Sequence, residues 1–430
     1  MPEARAAISY IRNEILYDFV FLIFILISLP VYLFKGKFHR GFLRRLGALP
    51  KGLALERPIW IHAVSVGEAV LMRGLIARLR ASYPSKSFVI STVTPTGNKI
   101  ARSIAEKSDF VTYLPFDLSF ITNRVIRKVR PCAFIIAETE IWPNLISSLY
   151  DLKVPIAVLN ARISDKSFKG YSTIKYLLKP ILNKIHLFCA QSKSDRDRLI
   201  SLGVEPERIE VTASMKFDQA WQLSEGVNSF KGKLSLKEEE ILLVAGSTHP
   251  GEERILLNTY RKLIGSFPHL RLLLAPRHPE RADEVALLVR HFGFKPIRIS
   301  LLQPKEAFAD AVFILDTVGE LISFYAAADI VFVGGSLVKK GGQNILEPAA
   351  LGKPVIFGPH MFNFRDIAAE FLKSNAALQA LTPEGLLSII KELLGDKPKI
   401  IELARNSKEV ILNNQGATEK NFNLVRKLIV

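Results

Sequence analysis

The feature that most constrains this chain is a recurring alternation. Short runs of Val, Ile and Phe are each followed by an amphipathic stretch, from residue 58 nearly to the end. Apolar runs without polar alternation suit strands covered on both faces, as in a parallel sheet with helices above and below it. The strand candidates of the first half are 58–64, 87–93, 110–115, 132–137, 154–160, 187–191 and 208–213, with helical spacing at 68–82 and 119–130. Residues 219–238 lose the pattern and turn polar. It resumes near 241–246, 270–275, 295–299, 311–315, 329–333 and 354–357, and helical stretches follow at 382–395, 398–412 and 417–429. The expectation is an α/β chain of two doubly wound domains, 36–218 and 239–430, joined by a linker at 219–238 and facing a cleft. The last helix is free to pack back on the first domain. In such sheets ligands bind beyond the carboxyl ends of the strands, so the chemistry is sought there.

Composition narrows the partners. A hydrophobic content of 49% with 23% charged residues is that of a folded chain. The net charge of +17 points to an anionic partner: nucleic acid, a phospholipid surface or a phosphorylated substrate. The basic residues are scattered, without a Lys/Arg tail or the aromatic–basic interleaving of single-strand binders, which argues against nucleic acid. Cys132 and Cys189 lie inside apolar runs and read as buried reduced thiols; neither their number nor their spacing makes a zinc site. Walker, GxGxxG and HExxH sequences are absent.

Leu16 to Phe34 is apolar for 19 residues apart from Asp18, Ser28 and Pro30. That length suits one bilayer crossing, which takes about 20 residues. Lys35, Lys37, Arg40, Arg44 and Arg45 follow it, so the positive-inside rule puts the rest of the chain in the cytoplasm. A signal peptide would need small residues where these basic ones stand. The reading is an uncleaved N-terminal anchor, residues 1–35, in the inner membrane. A second stretch, 169–186, mixes lysines with Tyr, Ile and Leu at near-helical spacing, as an amphipathic surface helix or a lipid-contacting one would.

At the strand ends, Ser65-x-x-Glu68 fits a capping box, and Glu68 also reads as a general base facing a cleft. Glu138 and Glu140 follow a buried strand directly, where carboxylates are costly unless solvated or paired. Asn160 and Arg162 close the next strand, and Lys216 lies where the chain is about to cross between halves. In the second half the strands end in Gly246-Ser247-Thr248-His249, with Glu252 and Glu253 beyond, and in Pro276-Arg277-His278. Thr317-x-x-Glu320 carries Gly319 inside its turn. The stretch from Phe332 to His360 has glycine pairs at 334–335 and 341–342 between a strand and a short helical pattern opening at Asn344. Glycine pairs there let backbone N–H groups approach an anion, although Asn344-x-x-Glu347 is also a plain cap. Arg277 and two glycine-bearing helix starts together suit a phosphate. Glu320 or Glu347 could accept hydrogen bonds from ribose hydroxyls.

These residues carry a resemblance. HAVSVGE (62–68), STVTPTG (91–97), AETEIWPNL (137–145), NARIS (160–164), SMKFD (214–218), APRHPER (275–281), DTVGEL (316–321), the stretch 332–360 and NNQGA (413–417) are similar, in order, to the 3-deoxy-D-manno-octulosonic acid (Kdo) transferases. These move Kdo from CMP-Kdo to the lipid A precursor in lipopolysaccharide synthesis. The resemblance implies a GT-B fold, transfer with inversion and no metal or other cofactor. It implies that Glu68 is the base that deprotonates the acceptor hydroxyl, and that Glu138 and Lys216 stabilise the transition state. CMP-Kdo would be held by Pro276, Arg277, Val318, Gly319, Glu320, Asn344, Ile345, Leu346 and Glu347. The partners implied are CMP-Kdo, lipid IVA and the inner-membrane phospholipid surface, with no nucleic acid. Many members carry His where this chain has Gln343, which removes a titrating group there but keeps a hydrogen-bond donor. The nearest competing reading is another GT-B transferase using a UDP-sugar and a lipid-linked acceptor.

Overall fold

The computed structural model describes residues 17–23, 25–27, 41–302 and 310–429. They form two compact units: the chain up to Met215 together with the segment from Gly416, and Lys216–Gln415.

The first unit is built on a seven-stranded sheet. Its strands are β1 (Ile59–His62), β2 (Phe88–Thr92), β3 (Phe110–Tyr113), β4 (Ala133–Ala137), β5 (Ile156–Ala161), β6 (Leu187–Ala190) and β7 (Ile209–Val211). They lie in the order β3-β2-β1-β4-β5-β6-β7, and every pairing is parallel. Because successive side chains point to opposite faces, each apolar run feeds two cores. Trp60, Phe134, Ile136 and Val158 go to one, Ile59, Ile61, Ile135 and Leu159 to the other. Both faces are buried against apolar side chains, which explains why these runs lack polar alternation. The helix Ala417–Val425 belongs to this unit: Ala417, Phe422 and Val425 join the second core, and Asn421 Nδ2 donates to Thr212 Oγ1 at 3.0 Å.

The second unit has its own sheet: β8 (Ile241–Thr248), β9 (Leu270–Pro276), β10 (Lys295–Arg298), β11 (Ala311–Ile314), β12 (Ile330–Val333), β13 (Val355–Phe357) and β14 (Ala377–Gln379). The order is β10-β11-β9-β8-β12-β13-β14, again wholly parallel. Two parallel-sheet α/β domains are therefore present, with each expected strand within a few residues of its place. The sequence reading missed β14, whose three residues are too short to register as an apolar run.

In each sheet the first strand sits where the order reverses, between β2 and β4 for β1 and between β9 and β12 for β8. Such switch points open a crevice at the strands' carboxyl ends. The loops leaving β1, β4, β8 and β12 are therefore the first places to look for chemistry.

The expected anchor falls largely outside the described residues. Of its span, residues 17–23 and 25–27 are helical. Phe21 and Ile25 pack against the first unit's core, whereas Phe19, Val20, Leu22, Ile23, Leu26 and Ile27 are exposed. Asp18 accepts from Ser119 N at 3.0 Å and Asn144 Nδ2 at 2.6 Å, and Tyr17 donates to Asp117 Oδ2 at 2.9 Å. Among the described residues no helix is long and apolar enough to cross a membrane.

Candidate active site

In the first unit, β1 leads through Ala63-Val64-Ser65 into the helix Val66–Ser82, whose first turn carries Glu68. Glu68 reaches back to accept from Val64 N at 2.6 Å and from Ser65 Oγ at 3.0 Å. This is half a capping box: the glutamate returns to the chain, but the Ser65 side chain makes no cap of its own. The carboxylate is thereby held at the carboxyl end of the central strand. Burial, and then the neighbouring Glu138, push its pKa up to about 7, with Glu140 adding a smaller push.

Glu138 follows β4, the strand paired with β1 across the switch point. Its backbone is left-handed (φ 57), a conformation that costs a non-glycine residue roughly 1–3 kcal/mol. Asn160, at φ 54 in β5, sends its Nδ2 towards Glu138 Oε1 at 3.5 Å, and its own Oδ1 accepts from Met215 N at 3.0 Å. Ala213, after β7, has φ 65. Three strained non-glycine residues at the carboxyl ends of β4, β5 and β7 are a functional signature that no sequence pattern announces. Glu140 completes the group: burial, then Glu138, raise its pKa to about 7. Glu138 thus raises the pKa of both Glu68 and Glu140, and Glu140 adds to the rise at Glu68, so the three carboxyls sit close enough to repel.

Beneath them lies a polar layer. His62 is fully buried, with Nδ1 within 3.0 Å of both the carbonyl and the hydroxyl of Ser91. Burial pulls its pKa down to about 4, so the ring is neutral at pH 7 and braces the end of β1 instead of charging it.

The second unit presents a different surface. After β12 the chain runs Gly334-Gly335-Ser336-Leu337, and three consecutive N–H groups of that loop converge on one carboxylate. Glu252, fully buried, accepts from Gly335 N at 2.7 Å, Ser336 N at 3.0 Å and Leu337 N at 2.9 Å, as well as from His249 N at 2.9 Å. The first glycine pair does cradle an anion, but the anion is the protein's own side chain. Gly334 must be glycine, since a Cβ there would lie 2.5 Å from Ser247 O and 2.6 Å from Thr248 Cα.

The second glycine pair, Gly341 (φ 96) and Gly342 (φ 74), turns the chain into Gln343–Glu347. Asn344 Oδ1 accepts from Leu346 N at 3.1 Å, and its Nδ2 donates to Glu347 Oε1 at 3.0 Å. The short helix Leu346–Ala350 follows. Ile345 and Leu346 are fully buried in the core, which leaves their main chain as the part available to a ligand. Burial raises the pKa of Glu347, while Arg277 and the Asn344 amide oppose the shift.

Pro276 ends β9, and Arg277 N donates to Thr248 O at 2.9 Å, leaving the guanidinium exposed. His249 lies beside it: Gln343 Nε2 is 3.2 Å from His249 Nε2, and the His278 ring is edge-on at 6.3 Å. An amide nitrogen only donates, so His249 Nε2 accepts and the neutral ring carries its proton on Nδ1. Burial, then Lys340 and His278, hold its pKa below the usual value. Glu320 accepts from Lys233 Nζ at 2.6 Å and from the Thr317 hydroxyl, which together keep its carboxyl ionised, and Val318 and Gly319 are exposed beside it. Lys216 opens the helix Lys216–Ser224 in this unit, its Nζ 5.7 Å from the Phe364 ring centre.

The structure thus brings Glu68, Glu138 and Glu140 together in one unit. In the other, Arg277 and Glu347 lie close enough to interact, with His249 and Gln343 alongside. Sequence reasoning gave no role to Glu140, His249 or Glu252. The signal for Glu252 was present, an acid three residues after His249 in a helix's first turn, but its partners in the glycine loop lie more than eighty residues away.

Comparison with known proteins agrees with this architecture. Residues 40–219 match the family model described as 3-deoxy-D-manno-octulosonic-acid transferase (kdotransferase). A 3-deoxy-D-manno-octulosonic acid transferase of Haemophilus influenzae is 37% identical over 86% of this chain and 86% of its own. That of Chlamydophila psittaci is 31% identical over 90% of each. Among solved structures, a glycosyltransferase from Rickettsia africae ESF-5 aligns with a TM-score of 0.58 at 14% identity, across 87% of this chain and 98% of that one, which is a likeness of fold.

Proposed function

The chain belongs to the 3-deoxy-D-manno-octulosonic acid (Kdo) transferases, glycosyltransferases of lipopolysaccharide synthesis, and on that premise we propose that it moves Kdo from CMP-Kdo to lipid IVA with inversion. The observation that carries the mechanism is Glu68: a tethered carboxylate at the switch point of its sheet, with a pKa raised to about 7. A general base works best when its pKa lies near the operating pH. Glu68 takes the proton of the acceptor hydroxyl as that oxygen bonds to the anomeric carbon of Kdo. The bond from that carbon to the CMP phosphate oxygen breaks, and its electron pair leaves with CMP. Positive charge builds on the sugar, where Glu138 is suited to stabilise it. Negative charge builds on the leaving phosphate, where Lys216 and Arg277 are suited to act. Pro276, Val318, Gly319, Glu320 and the segment Asn344–Glu347 hold the cytidine and ribose. The first unit takes the acceptor and the second the donor.

Attachment to the cytoplasmic face of the inner membrane through residues 1–35 belongs to the same reading. The exposed Phe19, Val20, Leu22, Ile23, Leu26 and Ile27 support it, as do Ile174, Tyr176 and Leu177, exposed among the lysines of 169–184. The reading is tested by product mass after incubating the full chain with CMP-Kdo and a tetra-acylated lipid A precursor. A ladder of added Kdo masses is expected, and inhibition by CMP but not UDP separates this donor from a UDP-sugar. Absence of any mass shift with intact donor and folded protein would overturn it.

A further inference from the structure

We propose that the Glu252 carboxylate is a built-in anion that fixes the glycine loop after β12 and, through it, positions the donor-binding segment Asn344–Glu347. This rests on the reading that Asn344–Glu347 meet the donor.

A loop of successive N–H groups pointing inward is an anion nest, and an unfilled nest leaves buried donors unpaired. Glu252 fills this one with both oxygens, two bonds to each, so no donor of Gly335, Ser336 or Leu337 is left over. With its amides held, the loop turns its carbonyls towards the next segment. Gly335 O accepts from Gly342 N at 2.8 Å and Gly334 O from Gln343 N at 3.1 Å. Those two residues immediately precede Asn344. On the other side Ser336 O accepts from His360 N at 2.9 Å and Ser336 Oγ from Gly358 N at 2.8 Å. The carboxylate is therefore the hub of a hydrogen-bonded frame, one residue removed from the proposed donor contacts. Glu252 touches no reacting atom and is a positioning residue. The two functions of a glycine-rich loop are here divided. Its first pair is stabilised by an internal carboxylate, which frees the second pair to shape the ligand segment.

The test uses the full-length enzyme in detergent. Glu252→Ala keeps Cβ and removes the rest of the side chain, which acetate matches atom for atom. The expected result is a weakening of CMP affinity by roughly tenfold, the size of a typical coupling between two sites. KM for CMP-Kdo should rise more than kcat falls, and sodium acetate should restore much of the affinity relative to sodium chloride at equal ionic strength. Acetate should not affect the wild type. Unchanged CMP affinity in a folded Glu252→Ala, or a loss that acetate leaves untouched, would overturn the proposal. Should Glu252→Ala fail to fold, Glu252→Asp keeps the charge but shortens the reach. A higher donor KM with kcat largely spared is expected there, and a wild-type KM overturns the idea. Asn344→Ala, which leaves the nest alone, separates the two layers. Loss of CMP affinity there with none in the Glu252 variants overturns this inference alone. No loss in either overturns the donor reading beneath it.

Discussion

Glu68 and Glu252 occupy the same topological position in their two units, in the first turn of the helix that follows the first strand, beside the switch point of the sheet. Across the switch point, Glu68 has Glu138 on the loop after β4, and Glu252 has the glycine loop after β12. Two carboxyls repel and one must hold its proton more tightly, whereas the N–H groups around Glu252 oppose the rise in pKa that burial gives it. One local pattern thus yields a carboxyl pushed by like charge in one unit and the hub of a hydrogen-bonded loop in the other. What differs is the partner loop, Glu-Thr-Glu against Gly-Gly-Ser. The role of a first-turn glutamate is set by what the neighbouring strand delivers to it.

The largest effect should come from breaking the first half of this comparison. Glu68→Gln keeps the shape and both tethers' reach but cannot accept a proton. Turnover should fall by roughly 100- to 10,000-fold, the range for a lost general base. CMP binding measured by calorimetry should change little. Equal losses of binding and turnover would remove Glu68 from the role.

The same change in the second half should act on stability. In Glu252→Gln the amide nitrogen faces N–H donors, so at least two bonds are lost and the remainder lack a charge. The unfolding transition of the second unit should lose roughly 3 kcal/mol in a denaturant titration. Amide hydrogen exchange should accelerate at Gly335, Ser336 and Leu337. Protection equal to wild type at those amides would mean that the loop holds itself without the carboxylate.

Gly334→Ala probes the loop from the opposite side. A Cβ would press on the main chain of Ser247 and Thr248, which cannot swing aside as a side-chain tip can. Overpacking of that kind costs about 2 kcal/mol, and donor KM should rise with it because β8 and β12 must part slightly. A variant with unchanged thermal midpoint and KM would show that the contact relaxes freely.

Much of this architecture was legible in the sequence, and the limits are physical. Both sheets could be read because strands buried on two faces leave continuous Val, Ile and Phe runs, as in Phe88–Thr92 and Ile330–Val333. Glu68 and Glu138 could be picked out because a charge directly after such a run is costly and calls for a reason. The three-residue β14 left no such trace. Nor could the glycine loop's partner be foreseen. Local spacing marks the N–H groups at 334–337 as able to hold an anion, but only the fold brings Glu252 to them before any phosphate can arrive. The left-handed backbone of Glu138, Asn160 and Ala213 is likewise invisible to a pattern of residue types, since none is glycine.

The smallest predicted effect is a shift in a pH profile, and it sharpens the comparison most. Glu68 must be ionised to act as a base, so turnover should rise with pH through a limb near its pKa of about 7. Glu140 is one of the negative neighbours that hold that value up, together with burial and Glu138. In Glu140→Gln that push is gone, and the limb should move to lower pH by roughly half a unit. Stability has the opposite sign. Glu68 and Glu140 have pKa values near 7 in the folded chain against a usual 4.5, so their contribution is full below about pH 4.5 and is lost as pH rises through about 7. Glu140→Gln should therefore flatten the decline in the first unit's thermal midpoint on the alkaline side. The second unit should not respond to this substitution, because Glu140 belongs to the first unit. A limb that stays in place in Glu140→Gln would mean that the two carboxyls titrate independently. Burial and Glu138 would then have to account for the raised pKa of Glu68.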